Sequence, residues 1–434
     1  MIRSKYSIVL SVKGNKVLFN TVYGTLDLID NSIAEKWMDN SYSWSLDEQK
    51  YLFSRGHLTT EEEQSSIEKS VSLYDTKSEN HKSKFYIIYS YLCNFNCFYC
   101  FENNNRPSRT LTTDELNNIF DSVLRIISFN KTTENEIVLF GGEPLLGSNR
   151  ELICRTLKFA RENGIKISVI TNGSNIPSYA DIFLDNRDLI SNFSITIDGP
   201  RATHDTRRVY KNGLGSYDDI INNISFLVSN HFAVSIRMNI DRSMPNSLRS
   251  AMAEFKQRLG FYPNLFLSLV DDTTCTGTCK DLYSYSQAMD ELKNNGYFER
   301  EYGDAISLNI KPIKQIEALL SGQVVKPRFR FCRMSELYIF STDGCIYTCP
   351  QSCENKDFLI GSYLPHIAIN NQAISKMHAF SALRIADCDK CSLSPICGGG
   401  CYVKRSYYHS TRNETLCYKE DIEKAIVSYI ERLI

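Results

Sequence analysis

The stretch "YLCNFNCFYCFENNN", residues 91–105, sets Cys93, Cys97 and Cys100 at intervals of four and three, within and just behind an aromatic, strand-like run. No fourth cysteine follows closely. A parallel α/β sheet carries its chemistry at the carboxyl ends of its strands, so thiols placed here stand where a reactive group belongs. Iron–sulfur clusters take thiolate ligands from loops, and a four-iron cluster held by only three protein thiolates keeps one iron open. Zinc sites favour short paired spacings and four ligands. The triplet therefore reads as the seat of a cluster with one open position.

From this point outward, "KFYIIYSYL" (84–92) starts an alternation of strands and amphipathic helices. The first helix buries Leu116, Ile119, Phe120, Val123, Leu124 and Ile127 and starts with a Thr112–Glu115 capping box. Strands "EIVLF", "IKISVIT", "NFSITID", "FAVSIRMNI" and "NLFLSLV" follow, with helices near 149–163, 178–187, 216–230 and 246–259 between them. Six strands joined by helix-length connections predict a parallel sheet with right-handed crossovers. Periodicity leaves open whether it curls into an incomplete barrel. Cys154, beside Ile153 and Leu157, reads as a small core residue.

Residues 1–80 read as a separate unit: a hairpin around Lys13-Gly14-Asn15, two short helices near 32–38 and 45–54, Gly56 closing the second, and a polar linker or exposed helix "TTEEEQSSIEKS". The alternating core is expected over 81–300. Residues 301–434 form a bridging region and, from Cys332, a turn-rich cysteine cluster.

The 434 residues exceed one ordinary core. A formal charge of -1, with 42% hydrophobic and 23% charged residues, gives no electrostatic case for nucleic acid. No stretch is apolar enough for a membrane span, and the N-terminal apolar run meets a turn before any cleavage-like site, so a cytoplasmic chain without membrane contact is expected. In that reducing setting fifteen cysteines favour metal ligation over disulfides.

The spacing C-x3-C-x2-C, with Tyr99 directly before the last cysteine, resembles the signature of the radical S-adenosylmethionine (radical SAM) superfamily. That resemblance implies an incomplete (β/α)6 barrel and a [4Fe-4S] cluster whose open iron chelates the methionine moiety. Three further stretches fit it. "GGEPLL" (141–146) looks like the family's Gly-Gly-Glu-Pro motif and implies cofactor contacts from Gly141, Gly142, Glu143 and Pro144, with Glu143 at the methionine ammonium. "TNG" (171–173) and "TIDGP" (196–200) imply contacts from Thr171, Asn172, Thr196 and Asp198. Arg237 is a candidate for the methionine carboxylate, or a plain ion-pair partner. "IDGPRATHDTRRVYKNGLGSYDDII" (197–221) is similar to a segment of the peptide-modifying branch, and makes His204, Asp205 and Arg207 either candidate catalytic or substrate-contacting residues or the polar groups of a hydrogen-bonded loop.

Cys332, Gly344 and Cys349 give C-x11-G-x4-C, and Cys388, Cys391, Cys397 and Cys401 give C-x2-C-x5-C-x3-C, with Cys417 beyond. This frame resembles the SPASM domain, which implies two auxiliary [4Fe-4S] clusters: an outer one on Cys388, Cys391, Cys397 and Cys417, and an inner one on Cys332, Cys349 and Cys401. The inner fourth ligand stays open between Cys345, Cys353 and an open iron. Cys275 and Cys279 read as a structural or solvent-facing pair.

The resemblance implies a maturase that cross-links a ribosomally synthesised precursor peptide, using a low-potential reductant such as flavodoxin or ferredoxin. The leading expectation is an intramolecular thioether from a cysteine sulfur to a carbon; carbon–carbon or carbon–oxygen linkage is the next. Anaerobic sulfatase maturation to formylglycine is an enzymatic alternative, but those enzymes carry an aspartate where this chain has Pro350. A non-catalytic iron–sulfur scaffold is the alternative of another class. Residues 1–80 look like the peptide-recognition element fused to such maturases, and as a generic sheet-and-helix module equally fit a lid or spacer. Nothing in the sequence sets the oligomeric state.

Overall fold

The structure, a computed structural model, describes residues 1–39, 43–76, 82–102, 107–244, 246–271, 281–298, 300–332, 337–412 and 416–434. Cys275, Cys279 and the expected boundary near 80 lie outside the described residues.

Near the N-terminus, strands Ser7–Val12 and Asn15–Asn20 form the hairpin, with Val12 facing Asn15. Lys13 and Gly14 alone turn the chain, both at positive φ (48° and 82°), which matches the right-handed twist of the flanking strands. Strand Leu26–Ile29 adds a third, outer strand. Helices Asn31–Met38 and Leu46–Ser54 follow, the second started by a Ser45–Glu48 capping box and closed at Gly56 in the left-handed region. The polar segment after Thr60 is helical, Glu61–Thr76.

Six strands, Lys82–Ile88, Glu134–Phe140, Lys166–Thr171, Ile190–Thr196, Val234–Ile240 and Asn264–Leu269, lie side by side in chain order and all parallel. That unbroken order decides the architecture. Right-handed crossovers that always step the same way put every connecting helix on one face and curl the other inward, whereas a doubly wound sheet reverses direction. The helix-covered face is apolar and closed, with Phe85, Ile87, Leu139, Val169, Ile195 and Met238 buried. The opposite face carries partly exposed Ser168, Ser194, Thr196 and Asn239, and exposed Arg237.

Two more parallel strands flank the six: Ile306–Leu308 beside the sixth and Leu337–Phe340 beside the first. The barrel is therefore incomplete, since both edge strands of the six have other neighbours. Leu337–Phe340 continues into an antiparallel run, Cys345–Tyr347, Gly361–Ser362 and Ala368–Ile369. The cysteine-rich region thus shares one sheet with the core, a connection that the fading periodicity after residue 270 does not reveal. Among the described residues no helix is long and apolar enough to cross a membrane.

Two local expectations change. Leu124 is 39% exposed, at the edge of the helix Thr113–Asn130 stripe, and Cys154 is exposed because the buried stripe of Arg150–Glu162 runs through Leu152, Ile153, Thr156 and Leu157.

Candidate cofactor and thiol sites

Cys93, Cys97 and Cys100 follow the first parallel strand on a loop pinned from across the sheet. The Asn96 amide donates to the Val209 carbonyl and the Lys211 amide to the Asn94 carbonyl, both at 2.9 Å, and the Phe95 and Tyr210 rings meet edge to face at 4.8 Å. The segment after His204 is therefore the wall on which the cysteine loop is shaped.

Among the described residues no group of His, Cys, Asp or Glu is gathered tightly enough for a single metal ion. A four-iron cluster asks for less, because each thiolate binds its own iron. The surroundings fit an anionic cluster. The Phe95 amide (3.4 Å) and the Asn172 side-chain amide (3.9 Å) donate to Cys93 Sγ. Arg208 is buried, donates to the Tyr99 hydroxyl at 2.7 Å, and keeps its Nε without a hydrogen-bond partner. Burial, then Glu143, pushes the Cys93 thiol up to about 12; burial, then Glu102, does the same to Cys100. Burial raises Cys97 as well, against the opposing pull of Arg208. Bound iron would hold these sulfurs deprotonated.

Gly141 and Gly142 press against the start of the cysteine loop. A Cβ on Gly141 would sit 2.5 Å from the Ser90 carbonyl oxygen, and one on Gly142 would sit 2.4 Å from those of Tyr91 and Leu92. Glycine is required for that approach. The Glu143 carboxylate is fully buried, and accepts from the Thr171 hydroxyl (2.6 Å) and the amides of Asn172 (2.7 Å) and Leu145 (2.9 Å). Burial raises its pKa and these donors hold it down. In this structure Glu143 braces the turn after Pro144 to the "TNG" strand end, rather than standing open for a ligand. The Asn172 side chain bridges to Asn94 at 2.8 Å.

Asp198, also fully buried, is the hub of the fourth strand end. It accepts hydrogen bonds from the Tyr99 hydroxyl and from the Asn239 amide (2.9 Å), and Arg207 Nε lies 3.6 Å away. Thr196 faces Arg237 across the fourth and fifth strands on the polar inner face. Arg237 makes no side-chain hydrogen bond or ion pair among the described residues.

The three candidate catalytic residues are each engaged by protein partners, as the hydrogen-bonded loop they also allow would have them. His204 is fully buried: its Nδ1 accepts from the Asp198 amide (3.2 Å), so Nε2 donates to Ser216 (3.0 Å). Burial, then Arg208 and Arg207, holds its pKa well below the ordinary value, so the ring is neutral. Asp205 accepts from the amides of Ser216 (2.8 Å) and Tyr217 (2.9 Å), capping the following helix. Arg207 makes a buried two-pronged pair with Asp241 (3.0 and 2.8 Å) and lies 5.1 Å over the rings of Phe98 and Tyr99.

The C-terminal thiols fall into two sets. Burial, then Cys388, with Cys391 and Cys417 adding to it, pushes Cys397 up to about 12, so these four lie within electrostatic reach of one another. Cys332, Cys349 and Cys401 line one cavity of about 240 Å³, together with Lys311, Arg330 and Pro350. Burial, then Cys401, with Cys332 adding to it, pushes Cys349 up to about 12. Neither Cys345 nor Cys353 lines this cavity. Cys345 Sγ instead meets Lys356 Nζ at 3.0 Å, and Cys353 Sγ faces the Cys349 carbonyl at 3.6 Å. The donor sets thus fit one four-ligand and one three-ligand cluster.

Sequence reasoning missed Arg208 and Lys311. Arg208 stands beside the "HDTR" run and could have been read with it; Lys311 carries no local signal.

A family model described as the radical SAM superfamily matches residues 87–243. The cysteine-type anaerobic sulfatase-maturating enzyme of Clostridium novyi (strain NT) is 24% identical over 367 residues, 79% of this chain and 95% of that protein. Two solved structures share the fold. Native anSMEcpe with bound AdoMet and Kp18Cys peptide is 20% identical with a TM-score of 0.63, over 81% of this chain and 98% of that one. Streptococcus suis SuiB bound to precursor peptide SuiA is 15% identical with a TM-score of 0.58, over 93% of this chain and 96% of that one. The family match spans the strand ends that carry the cysteine triplet, the Gly-Gly-Glu-Pro turn and Asp198, so residues 87–243 of this chain form a radical SAM domain.

Proposed function

We propose that this radical SAM enzyme removes two hydrogens from a ribosomally made peptide and joins a cysteine sulfur to a carbon in an intramolecular thioether. The observation that carries this reading is the cavity of Cys332, Cys349 and Cys401, which among the described residues is lined by three thiols, by no fourth cysteine, and by Pro350. Formylglycine formation, the alternative favoured by the sulfatase-maturating relative, draws on an aspartate base at that position, and a proline has no group to take a proton. A peptide substrate is supported by the peptides named with anSMEcpe and SuiB. The SuiB likeness covers 93% of this chain, which supports reading the N-terminal unit as part of the shared fold.

In this reading Cys93, Cys97 and Cys100 hold the first cluster, with Asn172, Thr196, Asn239 and Arg237 available to S-adenosylmethionine on the inner face. Cys388, Cys391, Cys397 and Cys417 hold an outer auxiliary cluster, and Cys332, Cys349 and Cys401 an inner one. When bound, these groups supply one-electron chemistry able to take a hydrogen atom from an unactivated carbon, and an acceptor for the surplus electron. The protein's own work is positioning. Arg208, Tyr99 and Asp198 hold the cysteine loop against the fourth and fifth strands, and Tyr86 and Phe140 pack against the same buried cluster, around Ile88, Tyr91 and Ile339, that Cys349 and Cys401 pack against. A flavodoxin- or ferredoxin-like protein would supply the first electron.

The test is anaerobic incubation of the reconstituted full chain with S-adenosylmethionine, reductant and a short cysteine-bearing peptide encoded beside it. A product two hydrogens lighter with one fewer alkylatable thiol is expected. Release of sulfide with an aldehyde product would establish the formylglycine reaction instead. Loss of two hydrogens with every thiol still alkylatable would establish carbon–carbon or carbon–oxygen linkage, and no 5′-deoxyadenosine at all would leave only the scaffold.

A further inference from the structure

Lys311 Nζ lies 2.5 Å from Cys332 Sγ, inside the cavity that Cys332 shares with Cys349 and Cys401. The ammonium also sits 4.7 Å over the Phe331 ring, which fixes its direction. Its anchor is rigid: Lys311 opens the helix Lys311–Leu320, which buries Ile313, Ile316 and Leu319.

Helix stability does not explain a cation at this place. The amino end of a helix carries partial positive charge and favours acidic side chains; this one has none in its first turn and starts with a lysine. The cost must be offset by anionic groups, and among the described residues the cavity wall offers no carboxylate: its charged side chains are Lys311 and Arg330, and its other ionisable neighbours are the three thiols and Tyr402. The contrast with Lys356 is direct. That lysine also meets a cysteine sulfur, Cys345, but it shares its charge with Asp343 at 2.9 Å. Among the described residues Lys311 has no such carboxylate.

The geometry points to Lys311 as a positioning residue that donates a charge-assisted hydrogen bond to the Cys332 thiolate, and so raises the reduction potential of the cluster held by Cys332, Cys349 and Cys401. This rests on the reading that those three thiolates hold a cluster. A positive donor on a ligand sulfur stabilises the reduced, more negative form, and hydrogen bonds to the sulfurs and net charge are main determinants of such potentials. The effect would make the inner site a better electron acceptor than its three thiolates alone would make it, and an oxidative cross-link has a surplus electron to place.

The experiment uses the full chain, reconstituted with iron and sulfide, as wild type, Lys311→Met and Lys311→Arg, each followed by spin resonance during a reductive titration. Wild type and Cys349→Ala are compared first for iron content; equal iron in both would overturn the cluster reading itself, whatever Lys311 does. With that reading intact, Lys311→Met is expected to keep its iron and to move one cluster signal to more negative potential. The other signals should stay in place, and Lys311→Arg should titrate close to wild type. No shift in Lys311→Met at full iron content would overturn the proposal. So would an equal shift in Lys311→Arg, or loss of the inner iron in Lys311→Met, which would make the lysine a mere structural support.

Discussion

The Thr171 hydroxyl donates a 2.6 Å hydrogen bond to the fully buried Glu143 carboxylate, tying the turn after the second parallel strand to the end of the third. The amides of Asn172 and Leu145 donate to the same carboxylate at 2.7 and 2.9 Å. Glu143→Ala strands the Thr171 hydroxyl and two buried amides, and an unsatisfied buried polar group costs about 2 kcal/mol. The loss is expected before any cofactor is added, as a lowered thermal midpoint of the metal-free chain. A variant that melts like wild type yet fails to bind S-adenosylmethionine would show that the carboxylate serves the ligand alone.

His204 is held neutral in the folded chain, its pKa well below the ordinary 6.5 because of burial first and the charges of Arg208 and Arg207 second. The unfolded chain takes up a proton as pH falls below 6.5 and the folded chain does not. Stability is therefore full above that value and declines below it, by up to about 1.4 kcal/mol per pH unit from this group. His57, also lowered chiefly by burial, acts in the same direction. His204→Gln should thus show a smaller fall in thermal midpoint between neutral and mildly acidic pH than wild type. Parallel falls in both proteins would mean that His204 titrates normally.

The two C-terminal thiol sets make different demands on iron content. Alanine at Cys332, Cys349 or Cys401 should remove about one four-iron cluster per chain, and alanine at Cys388 or Cys397 should remove a different one. Cys345→Ala and Cys353→Ala should leave total iron and sulfide unchanged, since neither lines the inner cavity. An iron loss in either of the last two would restore it as the fourth inner ligand.

Strand Leu26–Ile29 is the outer strand of the N-terminal sheet, and Leu28 on it is 64% exposed, as is Tyr51 at 53% on the helix Leu46–Ser54. An edge strand with one open side and an apolar side chain beside it is suited to an added peptide strand. Leu28→Asp should weaken binding of a full-length precursor peptide by about tenfold, roughly 1.4 kcal/mol, while leaving the iron content intact. Unchanged affinity by calorimetry would place peptide recognition elsewhere.

The parallel core is legible in the sequence because its signals are local. Apolar periodicity, the Thr112–Glu115 box and strand-length runs act between residues a few positions apart, and all six expected strands appear. The cysteine triplet is legible for the same reason. The roles of His204, Asp205 and Arg207 are not, because a polar cluster in a turn looks alike whether it faces a ligand or caps a helix. Only packing reveals that Arg207 meets Asp241 and that Asp205 meets the amides of Ser216 and Tyr217.

What this sequence determines by itself is the order of its strands and helices and the spacing of its thiols, since those follow from chain-local geometry. What the tertiary structure alone decides is company. The single sheet that joins Leu337–Phe340 to Lys82–Ile88 puts the cysteine-rich region beside the first strand, and the packing of Lys311–Leu320 brings an ammonium to Cys332. Burial in a shared low-dielectric cavity, which no spacing encodes, then sets how strongly those groups act on one another.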